Sequence, residues 1–144
     1  MNRRPVRYKD WEEMEQLSGG DYLDTKNLLV YSTSRCMPEC KRRDSLIFLK
    51  DLSSGREQRI SANGYGEGGA KFSPDGNSVT FLSSGTNGRQ LYKYSLDDGA
   101  VTALTNVKIP MIDPLVSPDG KKVLFASPSI ASRKADYAEP IVIE

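Results

Sequence analysis

Apolar and polar residues alternate along most of the chain with the two-residue period of strands that bury one face. Two runs show this spacing with β-branched and aromatic residues, namely Val79 and Phe81, then Tyr92, Tyr94 and Leu96. Glycine-containing turns separate the runs, as at residues 85–88 and 96–101. The pattern predicts an all-β chain of short antiparallel strands.

An internal repeat of 44 residues organises these strands, because the motif at residues 73–76, Ser-Pro-Asp-Gly, recurs at residues 117–120. The residues that follow also match, since Val79 and Phe81 lie over Val123 and Phe125. Residues 48–61 align with residues 92–105 at the same offset, with glycine on glycine and aromatic on aromatic. Two separate segments therefore share one period.

Each repeat has the content of a four-stranded antiparallel unit. Proline presets φ in the Ser-Pro-Asp-Gly turn, aspartate bonds the local backbone and glycine takes the left-handed position. Units of about 40–45 residues with four strands are typical of propeller blades, whereas sandwiches and barrels rarely keep an exact period. The sequence predicts a partial β-propeller with two full blades, about 21–62 and 69–105, and an incomplete third at 114–144.

The first blade is a degenerate copy, since residues 27–32 align with residues 77–82 at an offset of 50. We expect a loop at residues 35–43 to absorb the six additional residues. Cys36 and Cys40 are interpreted as free thiols of this loop in preference to a disulfide, and no histidine or third cysteine is available to complete a zinc site. The basic residues 41–43 are interpreted as a solvated loop tip.

A short helical lead-in is predicted within residues 1–20. Asp10 is a suitable N-cap with Glu13 at the capping-box position, and Gly19 and Gly20 are expected to end the helix. Trp11, with Met14 and Leu17, would form an apolar stripe that packs on the propeller flank, and a ligand-stacking role for Trp11 is the less favoured alternative.

The net charge and the hydropathy of the chain bear on its partners and its location. The net charge is +1, which gives no reason to expect nucleic acid or an acidic membrane surface as a partner. No stretch approaches 18 consecutive apolar residues, and the basic amino terminus lacks the apolar run of a secretory signal. We expect a cytoplasmic protein.

The chain carries no catalytic machinery that the sequence reveals. It has no histidine to act as a general base and no Gly-x-Ser-x-Gly nucleophile elbow, so we assign no catalytic residue, cofactor or metal ligand. The glycine-rich residues 64–69 are interpreted as a link between two blades. Because such links can face the central channel, Tyr65 and Glu67 are the candidates for substrate contact. The aspartates at 75, 97, 98 and 119 are interpreted as turn formers in preference to calcium ligands.

Two full blades and part of a third cannot close a ring, since natural rings use about four to eight. We therefore expect the chain either to associate with copies of itself through exposed blade edges or to belong to a longer polypeptide.

The hairpin at residues 72–81, Phe-Ser-Pro-Asp-Gly followed by an apolar strand, resembles the TolB-type, WD40-like propeller repeat. The whole chain resembles the amino-terminal start of a prolyl oligopeptidase-family serine peptidase of the acylaminoacyl-peptidase or dipeptidyl-peptidase type. Three features carry this resemblance: the acidic helix at residues 11–15, the blades with Asp-Gly turns, and residues 132–144, which resemble the segment before a further blade.

The peptidase resemblance implies a propeller that sits over a carboxy-terminal α/β-hydrolase domain and restricts access to short peptides, with the hydrolytic residues in that other domain. The alternative is a TolB-like scaffold for protein–protein interaction. A carbohydrate-active propeller such as an oligogalacturonate lyase is less favoured, because its metal site uses histidines.

Overall fold

The computed structural model describes residues 5–37, 42–86, 88–127 and 141–142. One helix, α1 (Tyr8–Glu13), precedes eleven strands arranged in three antiparallel sheets. Blade one consists of β1 (Gln16–Leu23), β2 (Leu28–Met37), β3 (Arg42–Asp51) and β4 (Glu57–Ile60). Blade two consists of β5 (Gly68–Phe72), β6 (Ser78–Gly85), β7 (Gly88–Ser95) and β8 (Val101–Ala103). Blade three consists of β9 (Ile112–Val116), β10 (Lys122–Ala126) and β11 (Ile141–Val142).

The strand order in each sheet follows the chain order, so each blade is a meander in which successive strands pair as antiparallel neighbours. The predicted all-β partial propeller is confirmed. Apart from Ile141 and Val142, the carboxy-terminal segment at residues 132–144 lies outside the described residues.

The two Ser-Pro-Asp-Gly turns occupy matching places, because each joins the first and second strands of its blade. In the first turn the Ser73 N–H donates to the Ser78 carbonyl and the Gly76 N–H to the Ser73 carbonyl. The Ser117 and Gly120 N–H groups repeat both bonds, 44 residues later. The hairpins at residues 51–56 and 95–100 also share their backbone bonds. The 44-residue repeat in the sequence therefore corresponds to a repeat of the backbone hydrogen bonds in these turns.

Four of the six additional residues of blade one lengthen the strands of its central hairpin, where a loop at residues 35–43 was predicted, and residues 38–41 lie outside the described part of the chain. Strands β2 and β3 have ten residues each, whereas β6 and β7 have eight, and Met37 pairs with Arg42. Lengthening both strands by two residues keeps every side chain on its own face, which explains why the insertion extends the ladder. Cys36 is therefore a half-buried free thiol on a strand, while Cys40 and Lys41 lie outside the described residues.

The amino-terminal helix is shorter than predicted and starts earlier. It begins at Tyr8, and Asp10 stands three residues after the N-cap Arg7, whose N–H donates to the Asp10 carboxylate at 2.7 Å. Gly19 and Gly20 lie inside β1, where Gly20 pairs with Tyr31 of β2. Two successive glycines disfavour a helix, and pairing with β2 satisfies their backbone groups instead. The predicted apolar stripe does not form on one helix, since Leu17 belongs to β1; the Trp11 side chain lies outside the described part.

Two apolar cores hold the blades together. The first lies between blades one and two and is centred on Val30, Ile47, Ile60, Val79 and Phe81. The second lies between blades two and three and contains Leu82, Leu91, Met111 and Val123. Neighbouring residues of β6, Phe81 and Leu82, thus point to opposite blades, as the alternation of a strand buried on both faces requires.

The inner strands of the first two blades also contact each other, because the Phe72 N–H of β5 donates to the Asp21 carboxylate of β1 at 2.9 Å. This bond satisfies a donor that lies at the inner edge of blade two. In the part of the chain that the structure describes, no helix has the length and apolar character needed to cross a membrane.

Candidate functional site

The link between blades one and two, residues 61–67, runs from the outer strand β4 to the inner strand β5. Gly64 and Gly66 have φ of 85° and 59°, a conformation that residues with side chains rarely adopt. A Cβ atom at Gly66 would overlap Ser84 Oγ, whereas one at Gly64 would meet open space. Glycine at position 66 therefore allows both the left-handed backbone of the link and the close approach of the link to β6.

Glu67 is fully buried and organises this link from inside. Its Oε1 accepts the Ala62 N–H at 2.8 Å and the Ser61 hydroxyl at 2.9 Å, with longer bonds from the Gly64 N–H and the Ser83 hydroxyl at 3.4 Å. The side chain was a candidate for substrate contact, and the structure places it where a ligand at the surface of the described chain does not reach it.

The second carboxylate oxygen of Glu67 is electrostatically compensated but has no hydrogen bond among the described residues. Arg59 Nη2 lies 3.7 Å from Oε2, and Oε2 is buried without a hydrogen-bond partner. The Arg59 guanidinium also donates to the Gly64 carbonyl at 2.9 Å. Arg59 thus links the outer strand of blade one to the middle of the link.

Tyr65 stands on the outside of the same link and is 40% exposed. Its neighbour Gly66 is fixed by a bond from its N–H to the Asp44 carboxylate at 2.8 Å. Close by, Asn63 Nδ2 donates to the Tyr92 hydroxyl at 2.9 Å. The link therefore presents an accessible aromatic side chain on a backbone held from both blades.

The equivalent link between blades two and three is held by a different device. Met111 stands where Glu67 stands in the first link, 44 residues earlier, and is buried in the second core. Gln90 of β7 takes over the polar role, donating from Nε2 to the Val107 carbonyl at 2.7 Å and accepting the Val107 N–H and the Thr105 hydroxyl on Oε1. Sequence reasoning missed Gln90, although a glutamine where the repeat has Leu46 is a visible departure.

A shallow groove of about 290 Å³ opens at the other end of blades one and two, beside the hairpin turns. Three leucines line it together with polar and charged side chains of both signs, namely Leu28, Leu49, Leu96, Lys26, Arg56, Asp51, Asp97 and Gln58. Lys26 Nζ already donates to the Asn77 side chain at 3.1 Å. Sequence reasoning did not identify this groove, because its lining residues come from separate turns and strands of both blades.

The turn aspartates are committed to backbone and hydroxyl bonds. Asp75 accepts the Ser73 hydroxyl and the Asn77 N–H, and Asp119 accepts the Ser117 hydroxyl and the Lys121 N–H. Bonds from Ser73 and Ser117, followed by these backbone bonds, lower the pKa of the two carboxyls below the usual value of 3.8. Asp98 also accepts a backbone bond within its turn, from the Ala100 N–H. The described residues contain no group of three histidine, cysteine, aspartate or glutamate side chains that could hold a metal ion.

The described residues offer three kinds of surface feature near the links and turns. They are an exposed tyrosine on the first link, a groove that is lined by three leucines and by charged side chains of both signs, and carboxylates bound into turns. The sequence contains no histidine, so a Ser-His-Asp triad cannot be assembled from this chain alone.

Solved structures with the same arrangement of sheets include propellers of two kinds. The β-propeller domain of the Trilobed protease from Pyrococcus furiosus aligns with 77% of this chain and 33% of its own, with a TM-score of 0.61 and 15% identity. The chain is a segment of a β-propeller. Acylaminoacyl peptidase of Pyrococcus horikoshii aligns with 91% of this propeller segment and 20% of its own chain, with a TM-score of 0.70 and 17% identity. A TolB-type protein from Agrobacterium tumefaciens aligns with 85% of it and 42% of its own chain, with a TM-score of 0.58 and 23% identity. At these identities the likeness shows the fold alone.

Sequence comparison identifies one relative at higher identity. The propeller segment is 34% identical over 119 residues to an uncharacterized protein of Agrobacterium fabrum. The match includes 76% of this chain but 40% of that protein, so the segment spans about two fifths of the relative's length. No family model matches the chain.

Proposed function

We propose that this chain is a non-catalytic, TolB-like propeller scaffold that binds other proteins through extended peptide segments. The observation that carries the proposal is the size of the relative in Agrobacterium fabrum, since 119 residues at 40% of its length correspond to a protein of about 300 residues. At about 40–45 residues a blade, such a length accommodates six or seven blades and leaves little room for a hydrolase domain.

The link between blades one and two supports a binding role. Tyr65 is exposed, while the backbone of its two neighbours is fixed, at Gly64 by bonds with Glu67 and Arg59 and at Gly66 by a bond with Asp44. A tyrosine that is held in place loses little conformational entropy when it packs on a partner, which is why such side chains are frequent binding anchors. We therefore place the peptide contact at Tyr65.

A selection experiment tests this function. Extended peptides are selected from a displayed random library against the whole chain, and their affinities are measured by fluorescence polarisation. We expect Tyr65→Ala to weaken binding by about tenfold, a typical loss for an anchor residue. Tyr8→Ala is the matched control, because Tyr8 is a 75% exposed tyrosine on α1. Equal losses in the two variants, or a library that yields no binder, would contradict the proposal.

The second candidate function is the gating propeller of a serine peptidase that hydrolyses short peptides. The observation that favours it is the fit to acylaminoacyl peptidases, with TM-scores of 0.70 and 0.72 over 91% of the chain. In this setting the partner is a carboxy-terminal α/β-hydrolase domain, and the propeller restricts which peptides enter.

The gene that encodes the chain discriminates between the two functions. A downstream Gly-x-Ser-x-Gly motif in an α/β pattern would favour the peptidase, and a stop codon after further blades would favour the scaffold. Under either function we expect this chain to leave acyl-peptide and dipeptidyl chromogenic substrates intact. Turnover that persists through purification would contradict both.

A further inference from the structure

The first link runs between two cross-strand pairs that each contain an arginine. In blade one, Arg35 of β2 pairs with Asp44 of β3, and the Asp44 carboxylate accepts the Gly66 N–H at 2.8 Å. In blade two, Arg89 of β7 pairs with Ser84 of β6, whose hydroxyl is the group that a Cβ atom at Gly66 would overlap. Gly66 thus contacts one member of each pair, and the other member of each pair is an arginine.

The Arg89 guanidinium lies over the start of the inner strand of blade two. Its Nη2 is 3.4 Å from the place that a Cβ atom would occupy at Gly68, the first residue of β5. The strand of Arg89, β7, is separated from β5 by β6, so the side chain extends across the sheet toward the link. Gly68 follows Tyr65 by three residues, which brings the guanidinium close to the exposed aromatic side chain.

The charges left unpaired around this link are positive. Arg35 and Arg89 are both exposed, and neither guanidinium has a hydrogen bond or an ion pair with another described residue. The carboxylates nearby are already engaged, because Glu67 is buried opposite Arg59 and Asp44 accepts two backbone N–H groups. An anionic group at the link would therefore meet two guanidinium groups that have no other partner in the described chain.

The acidic turns of the chain lie at the opposite end of the strands. The hairpin turns that join strands at that end contain most of the turn aspartates, at positions 51, 75, 97, 98 and 119. The net charge of +1 therefore describes the surface around the link poorly, since the carboxylates that balance its arginines are located elsewhere.

We propose that the extended peptide bound at Tyr65 is acidic, with side-chain carboxylates that pair with Arg35 and Arg89. The inference rests on the proposed binding function of the link and adds the chemical class of its partner. Guanidinium groups bind carboxylates through two parallel hydrogen bonds, and tyrosine and arginine are enriched among the residues that dominate binding at interfaces. Because the two arginines belong to different blades, we expect at least two acidic side chains in the peptide.

A peptide suits this surface better than a nucleic acid does. Proteins that bind a phosphate backbone present a patch or stripe of many lysines and arginines, whereas the described link has two available guanidinium groups beside one aromatic side chain. Exposed ion pairs are individually weak, so Tyr65 supplies the apolar contact and the arginines select among peptides.

Peptides selected from the displayed random library against the whole chain, then synthesised with amidated carboxy termini, test the inference. We expect aspartate and glutamate to be enriched over the unselected library, and the affinity to fall about tenfold between about 50 and 500 mM salt. Arg35→Gln and Arg89→Gln should each weaken binding about threefold. Arg56→Gln is the matched control, because Arg56 is an exposed arginine in the hairpin turn at the other end of blade one.

Exchange of the peptide carboxylates for amides shows whether the arginines act on them. A peptide with asparagine and glutamine in place of aspartate and glutamate should bind the unaltered chain about tenfold more weakly, and Arg89→Gln should no longer change its affinity. An effect of Arg89→Gln that persists with the amide peptide would overturn the inference. Arg35→Ala and Arg89→Ala replace any glutamine variant whose circular dichroism differs from that of the unaltered chain.

Failure of this inference is distinct from failure of the proposed function. Peptides that depend on Tyr65 but bind both arginine variants as tightly as the unaltered chain would overturn the inference and leave the binding function intact. Equal losses in Tyr65→Ala and Tyr8→Ala would contradict the function and the inference with it. An oligothymidylate that binds as tightly as the acidic peptides would also overturn the inference, because the surface would then accept anions of any class.

Discussion

The buried carboxylate of Glu67 and the side-chain amide of Gln90 accept hydrogen bonds from backbone N–H groups in successive links. A link that crosses from an outer strand to an inner one leaves backbone N–H groups that no ladder satisfies. In the first link the acceptor is part of the link itself, and in the second it comes from β7. The role of Glu67 could not be predicted, because Ser61 and Ser83 meet it only after two blades have formed.

Replacement of Glu67 tests this role. Glu67→Ala removes the acceptor of two short bonds, and we expect it to lower the free energy of unfolding by about 2–4 kcal/mol. Glu67→Gln retains Oε1 as an acceptor and should cost about half as much. Urea denaturation of both variants measures the difference. Equal losses would show that the charge facing Arg59, and not the acceptor, stabilises the link.

At the scale of elements, the sequence predicted the turns correctly but not the bounds of α1 or of the central hairpin of blade one. The Ser-Pro-Asp-Gly turns form as expected because their bonds involve residues at most five apart in sequence. The bounds of α1 and the central hairpin of blade one were wrong because pairing with β2 and β3 overrides local preference. Thus, local chemistry determined the turns, whereas distant partners determined the strand lengths.

The turn aspartates make part of the stability dependent on pH. The carboxyls of Asp75 and Asp119 have pKa values lowered from 3.8, so they contribute stability above that pH and lose it as the pH falls through their folded values. We expect the free energy of unfolding of the double variant Asp75→Asn/Asp119→Asn to decline less steeply below pH 3.8 than that of the unaltered chain. Denaturant unfolding at a series of acidic pH values measures the slopes, and equal slopes in the variant and the unaltered chain would contradict the role of the two carboxyls.

The first link contains a second test at the scale of the element. Gly66→Ala adds both a left-handed strain of about 1–2 kcal/mol and an overlap with Ser84, whereas Gly64→Ala adds the strain alone. We expect Gly66→Ala to lower the melting temperature further. In the variant Gly66→Ala/Ser84→Ala part of the loss should be recovered. Equal melting temperatures for the two single alanine variants would show that the close approach of the link to β6 does not affect stability.

At the scale of the whole molecule, stability depends on the packing between blades. Each sheet buries side chains on its neighbours, so the energetics resemble those of a short stack in which only adjacent units interact. The order of the blades followed from the period in the sequence. The exposed apolar surface on the outer faces of blades one and three was not predicted. It depends on the positions at which these two blades differ in residue type from blade two.

Truncation of an interface residue should therefore be costly and truncation on an outer face should not. Phe81→Ala removes a fully buried ring from the core between blades one and two, and we expect a loss of about 3–5 kcal/mol. Leu124→Ala, on the outer face of blade three, should change the stability of the monomer by less than about 0.5 kcal/mol. Chemical denaturation at low protein concentration measures both. Comparable losses would mean that blade three is covered within the monomer.

The two links differ in how freely their blades could be moved into another protein. Link 61–67 carries its own acceptor in Glu67, and from the preceding blade it takes bonds with Asp44, Ser45 and Arg59. Link 105–111 depends on Gln90 in the preceding blade, and blade one has Leu46 at that place. Excision of one period, residues 61–104, would thus join blade one to a link without its acceptor. The first link, with the acceptor that it carries, is thus the more transferable of the two.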